Sequence, residues 1–292
     1  VKIKVTILIL LLLPLLSNAQ VIIRNGQWPW FNQGGADPNL DPYENQLVLD
    51  LDGNLTNAAG NLVCRETGLV FTNKPTFATG ATEHTIGTNV NGVVQKAWWY
   101  AGVDDYHVAS TNVLHGGTDN CALSMWVWYE GLLNNELDYL FGKGGRSESA
   151  GVAGGCNYGL IYDGVPVGHL YSRSDPDTPG GNTAPVTNTM AEARWIHYAV
   201  IRDTSNSNWY WFVDGNLFSN RVLTAIGNSQ SDRKLIVAAV DENPLGTVAR
   251  FLKGYCDNIR RYQSATTPIP TNQVNFWYTK SHPTNDIITR TP

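Results

Sequence analysis

Aromatic side chains stack on the C–H faces of sugars, and polar neighbours fix the hydroxyls. With ten tryptophans and thirteen tyrosines, this chain is well supplied with the first kind of group. Trp98, Trp99, Trp126, Trp128, Trp209 and Trp211 stand in apolar, alternating stretches. The same residues also read as core, since alternate aromatics in a two-sheet protein usually face inward. At most one parity of each pair can face out. The expected ligand-binding set is Trp128, Trp209 and Trp211, with Asp163, Arg173 and Asp175 on neighbouring loops.

Hard oxygen ligands suggest a second chemistry. Asp50, Asp52 and Asn54 alternate around one turn, and Asp257 precedes Asn258 near the end of the chain. Calcium takes several carboxylate, amide and carbonyl oxygens, so Asp50, Asp52 and Asp257 are candidate ligands for a structural ion. Asp52-Gly53-Asn54 reads equally well as a plain turn, and its spacing is not that of an EF-hand loop. Six histidines show no close metal spacing, no serine lies in a Gly-x-Ser-x-Gly elbow, and no glycine-rich phosphate loop precedes a helix.

Charge narrows the partners. Twenty Lys and Arg stand against twenty-five Asp and Glu, which argues against nucleic acid and gives no polybasic membrane surface. Residues 1–19 read as a signal peptide. Lys2 and Lys4 precede an apolar run from Ile7 to Leu16, and Ser17-Asn18-Ala19 ends in a small residue before Gln20. The run is short for a membrane span, so no stable anchor is expected and the chain is placed outside the cell or on its surface. In an exported chain, Cys64, Cys121, Cys156 and Cys256 suggest two disulfides with three possible pairings. No Cys-x-x-Cys suggests zinc.

The elements that must position these groups are strands. Trp195 to Phe218 reads as strand, polar loop, strand, Asp214-Gly215 turn, strand. Trp195, His197, Ala199 and Ile201 share one face of the first strand, and Ile196, Tyr198 and Val200 the other. Both faces are largely apolar, which predicts cover on both sides. Residues 122–130 alternate, with Leu123, Met125, Val127 and Tyr129 opposite Ser124, Trp126 and Trp128. Residues 20–45 form an arm rich in Trp, Pro, Asn and Gly, either packed on its own domain or reaching a neighbour. Residues 175–191 form a long loop without strand period, a place to look for binding. Residues 270–278 predict a short helix with Thr271 as its cap, and 279–292 read as a tail.

Four segments, in order, resemble laminin-G-like jelly rolls of the concanavalin A-like lectin/glucanase superfamily. They are Val48-Leu-Asp-Leu-Asp-Gly53 with Ala59-Gly-Asn61, Tyr100-Ala-Gly-Val-Asp-Asp-Tyr106, Trp195-x-His-x-Ala-Val with Trp211-Phe-Val-Asp-Gly215, and Gly254-Tyr-Cys-Asp-Asn-Ile-Arg-Arg-Tyr262. The resemblance covers residues 46–278 and implies an all-β, two-sheet antiparallel jelly-roll sandwich. It also implies that the first and last strands can approach and that calcium is common on such scaffolds. Glucanases of this kind carry Glu-x-Asp-x-x-Glu on one strand. Here Glu136-Leu-Asp138 is followed by Phe141 in place of the last acid. The resulting expectation is a secreted, non-catalytic binding or adhesion module for extracellular glycan or protein. The alternatives are a structural subunit that assembles through its arm or tail, and a glycan-cleaving enzyme, which Phe141 disfavours.

Overall fold

A computed structural model describes residues 37–74, 80–111, 119–130, 138–143, 156–157, 161–162, 169–171, 173–174, 183–185, 193–222, 234–241, 248–249 and 251–288. The chain divides into a unit of residues 1–40, of which 37–40 are described, and a unit of residues 41–292 that carries both main sheets. The expected signal peptide and most of the aromatic arm lie outside the described residues. Among those residues, no helix is long and apolar enough to cross a membrane.

The strands that matter for the site are β1 (Leu47–Leu51), β2 (Leu62–Val63), β3 (Val70–Lys74), β4 (Thr82–Thr88), β5 (Val94–Ala101), β6 (Tyr106–Ala109) and β7 (Asn120–Tyr129). They continue with β8 (Phe141–Lys143), β9 (Trp195–Asp203), β10 (Asn208–Val213), β11 (Asn216–Val222), β12 (Leu235–Val237) and β13 (Lys253–Ser264). Helix α1 (Gln273–Lys280) and a hairpin of β14 (Ser281–His282) and β15 (Asn285–Asp286) follow.

Eight strands form one antiparallel sheet in the order β11-β10-β9-β7-β13-β5-β4, with β1 also pairing to β13. The long strand β13 makes this possible. Its first residues pair with β5, from Lys253 opposite Ala101 to Cys256 opposite Trp98. Its later residues pair with β1, with Arg260 opposite Asp50. The second sheet has five strands in the order β2-β3-β6-β12-β8. This is the two-sheet sandwich that the sequence motifs imply.

The core follows the alternation. Leu123, Met125, Val127 and Tyr129 of β7 join Ile196, Tyr198 and Val200 of β9 in the main cluster, with Phe71, Phe141, Leu235 and Val237 of the smaller sheet. The opposite face of the large sheet is covered at one end by α1. Ala122, Ala199, Ile201, Phe212 and Tyr262 there bury Val274 and Trp277, and Tyr262 stacks on Trp277 with ring centres 4.6 Å apart. The doubly covered strand expected from Trp195 onward is therefore present. Asp214 and Gly215 both have positive φ, 48° and 77°, as the two-residue turn between β10 and β11 requires.

Three expectations need correction. The helix begins after Asn272, not Thr271, and makes no side-chain cap hydrogen bond. Residues 281–288 are no loose tail. Asp286 accepts from Arg260 at 3.0 Å, and its carbonyl accepts from Asn89 Nδ2 at 3.0 Å. Such polar residues show no period in sequence, and side-chain hydrogen bonds hold them down. Finally, Cys64, Cys121 and Cys256 are buried thiols, so two disulfides do not form. Cys121 and Cys256 lie on adjacent strands, but Cys121 stands opposite Gln263 and Cys256 opposite Val127. They are therefore offset by about 20 Å along the strands, far beyond disulfide reach. The side chain of Cys156 lies outside the described residues.

Candidate functional site

The register of the large sheet lines up four aromatic residues. Trp99 of β5 stands opposite Tyr255 of β13, Tyr255 opposite Trp128 of β7, and Trp128 opposite Trp195 of β9. Directly paired residues share a face, so these rings form one row running across the strands. All four are half-buried. The inward neighbours Trp98, Val127, Ile196 and Cys256 belong to the core, so the row lies on the opposite, outer face.

Contacts along the row fix its shape. Trp128 meets Trp195 edge to face, with ring centres 5.9 Å apart. Tyr255 lies 6.2 Å from Trp195. Gly254 permits this approach: its φ is 142°, and a Cβ there would come within 2.0 Å of the Trp128 carbonyl oxygen. Glycine thus lets β13 lie close against β7 beside the rings.

Polar groups gather at the β5 end. Trp99 Nε1 donates to Glu130 Oε2 at 3.1 Å. The exposed ring of His84, on β4, stacks on Trp99 at 6.0 Å. It shares hydrogen bonds with Thr82 Oγ1 at 2.9 Å and with the Tyr255 hydroxyl at 3.3 Å. Partial burial first, and then the Glu130 charge, push the Tyr255 pKa up, so its hydroxyl stays a neutral donor and acceptor. At the β9 end the charged neighbour Arg194 is held by Asp214 at 2.8 Å.

Two residues further along the same strands the face changes character. Asp257, Trp126 and His197 are paired in register there, and the C-terminal segment lies on them. Trp126 stacks on Tyr278 at 5.7 Å and donates to Ser281 Oγ at 3.0 Å. His197 Nε2 is bonded to Ser124 Oγ at 2.9 Å.

Of the expected ligand-binding residues, Trp128 is in the open row. Trp209 and Trp211 are fully buried in the core and stack on each other at 6.1 Å; no ligand reaches them. Alternation along β10 turns them toward the second sheet, a choice left open by the apolar character of both its faces. Asp163, Asp175 and the side chain of Arg173 lie outside the described residues. Glu136 and the side chain of Asp138 do too, while Phe141 is buried in the core. Trp195 and Tyr255 escaped the sequence reading. Their signal is the pairing of three distant strands at Trp128, which no local pattern contains.

The expected calcium ligands lie in one neighbourhood, where β1 pairs with β13. Guanidinium groups make the connection. Asp50 is held by Arg65 Nε at 3.2 Å and by Arg260 Nε at 3.3 Å. Asp52 accepts from the Asn54 N–H at 2.8 Å and faces Arg65 at 3.7 Å. Asp257 accepts from the Gly53 N–H at 2.9 Å. Among the described residues, no three His, Cys, Asp or Glu side chains are grouped to hold a metal. The three aspartates therefore do not fit a calcium ion. Burial first, and then the charge of Asp52, hold Asp257 well above the usual carboxylate range.

Known structures share the architecture. The receptor-binding domain of botulinum neurotoxin D matches with a TM-score of 0.56 at 11% identity, covering 82% of this chain and 54% of that one. The binding domain of Paraclostridial Mosquitocidal Protein 1 gives 0.55 at 9% identity, covering 82% and 53%. The botulinum serotype D ligand-binding domain in complex with N-acetylneuraminic acid gives 0.54 at 10% identity, covering 81% and 51%. This chain spans about half the length of each of those domains, and at such identities the likeness is one of fold. No curated protein sequence matches the chain. Residues 101–269 match a laminin-G family model, and with the two sheets in place the chain belongs to the concanavalin A-like lectin/glucanases superfamily.

Proposed function

We propose that this chain is a non-catalytic, extracellular binding module that holds a glycan or protein on the outer face of its large sheet. The observation that carries the reading is the in-register row Trp99–Tyr255–Trp128–Trp195, half-buried on the outer face of a paired sheet. Large, stiff aromatic groups give contact area at low entropic cost and dominate recognition surfaces. They rest on four paired strands, so little ordering is needed on binding. The scaffold is compatible: similar folds are described as receptor-binding, and one was solved with N-acetylneuraminic acid. The ligand of this chain is decided by its own residues.

The test is to screen the full chain against arrays of glycans and extracellular proteins, beside a Trp128→Ala, Trp195→Ala double variant. Binding by the parent and its loss in a folded double variant supports the reading. Binding that survives the double variant moves the site elsewhere, and no binding by the parent overturns it.

A further inference from the structure

The row is not symmetric, and its two ends differ in a way that bears on the ligand. At the β9 end Trp128 and Trp195 meet edge to face and are half-buried. The nearby cation, Arg194, is spent on Asp214. At the β5 end, hydrogen-bonding groups surround Trp99 on both sides. Glu130 takes the indole N–H with one oxygen, and the carboxylate retains acceptor capacity. On the other side His84, Thr82 and the Tyr255 hydroxyl form a linked polar edge. Three strand gaps separate Trp99 from Trp195, so the row spans about 14 Å. That length suits an extended chain of rings lying across the strands and exceeds a single sugar.

We infer that the row binds an uncharged linear oligosaccharide laid across the strands, read at the Trp99 end by Glu130 and His84 and held by stacking at the Trp195 end. The inference rests on the binding reading above and names its ligand class. A neutral glycan carries C–H faces for the rings along the row and hydroxyls for the acceptors and donors gathered at its β5 end. An acidic sugar does not match: its carboxylate would meet Glu130, and like charges at close range repel. Lys253 stands two residues from Tyr255 on the same strand, where the Glu130 N–H bonds its carbonyl at 3.1 Å. Glu130 and His84 are specificity-determining residues in this arrangement, and Trp195 is a general support.

Titration calorimetry of the full chain tests this with neutral ladders (cello-, xylo-, manno- and chito-oligosaccharides) and acidic ones (oligogalacturonates, sialyllactose). Neutral chains are expected to bind, with affinity rising with length and levelling once the chain exceeds the roughly 14 Å row. Trp195→Ala should weaken every bound glycan alike, by about tenfold. Glu130→Gln, nearly isosteric, should change the ranking among neutral glycans by about tenfold while leaving the melting temperature unchanged. Tighter binding of acidic chains overturns the inference but leaves the binding reading intact, as does a Glu130→Gln loss equal for all glycans. Recognition of proteins alone on the same row has that same meaning. Failure to bind any array member overturns both.

Discussion

Trp126 and Trp128 are two residues apart on β7 and project from the same face, yet they belong to different surfaces. Trp126 is 2% exposed; it stacks on Tyr278 and donates to Ser281. Trp128 is half-buried among Trp195 and Tyr255 in the open row. Residue type and strand position do not separate them. The C-terminal segment does, more than 140 residues later in sequence. Where it lies on the sheet, the face is rich in matched polar groups: His197 with Ser124, Asn258 with Ser281, and Arg260 with Asp50 and Asp286. Beyond its edge the face is aromatic. One half of the face is thus covered by the fold's own C-terminal segment, and the other half carries the half-buried aromatic row.

That division predicts which changes cost stability and which cost binding. The largest stability effect should come from Arg260→Ala. It leaves Asp50 and Asp286 buried without their shared cation, and breaking a buried pair in this way costs about 3–5 kcal/mol. Denaturant unfolding should show the loss, while glycan affinity per folded molecule stays the same. Next is Trp126→Ala, at about 3–5 kcal/mol for a buried tryptophan, against about 1 kcal/mol for Trp128→Ala on the half-exposed side. Binding should show the reverse order. Equal stability losses at the two positions would mean that the halves are not distinct.

A smaller effect is set by pH. Burial first, then the positive charges of Arg260 and His282, push His197 down to about 3 from its ordinary 6.5. Above 6.5 the ring is neutral in both states and contributes no pH dependence. Below it, the unfolded chain takes up a proton that the folded chain refuses until about 3, so stability is lost as pH falls through this window. His197→Gln removes that loss. The melting-temperature deficit of this variant relative to the parent should therefore narrow between pH 7 and pH 4. His107, at about 3 through burial, acts alike in both proteins. So does Asp286, raised to about 6 chiefly by burial, whose contribution runs the other way and is lost as pH rises. An unchanged deficit would show that His197 takes up a proton without disturbing the fold.

Local periodicity made much of the fold legible. The alternation of Leu123, Met125, Val127 and Tyr129, the two apolar faces of Trp195–Asp203 and the Asp214-Gly215 turn each depend on neighbouring residues, so the sequence displays them. Of the site, Trp128 was in the expected binding set and Trp99 stood among the wider aromatic candidates. Tyr255 and Trp195 join it through register between strands far apart in the chain, and Trp209 and Trp211 left it because both faces of their strand are apolar. The burial of residues 281–288 was hidden for another reason. It rests on polar side chains finding particular partners, such as Asp286 with Arg260, and such pairing leaves no period to read.

The smallest predicted effect concerns Asp50, Asp52 and Asp257, where composition and geometry point in opposite directions. Three acids at the meeting of the first and last strands look like a calcium site in sequence. In the fold, each of the two oxygens of Asp50 faces its own guanidinium, from Arg65 and from Arg260, and an N–H from Gly53 occupies one oxygen of Asp257. A calcium ion needs six to eight oxygens at about 2.3–2.6 Å, and these acids cannot supply their share without first releasing the arginines. Releasing Arg260 would also unfasten Asp286 and the hairpin it holds. Calcium that bound the folded state would raise the melting temperature as its concentration rose above the dissociation constant. The expected result is instead an unchanged melting curve in millimolar calcium and in chelator. A calcium-dependent rise that disappears in Asp257→Asn would show that the arginines yield to the ion. The covered half of the face would then be adjustable, and the contrast with the open row would have to be redrawn.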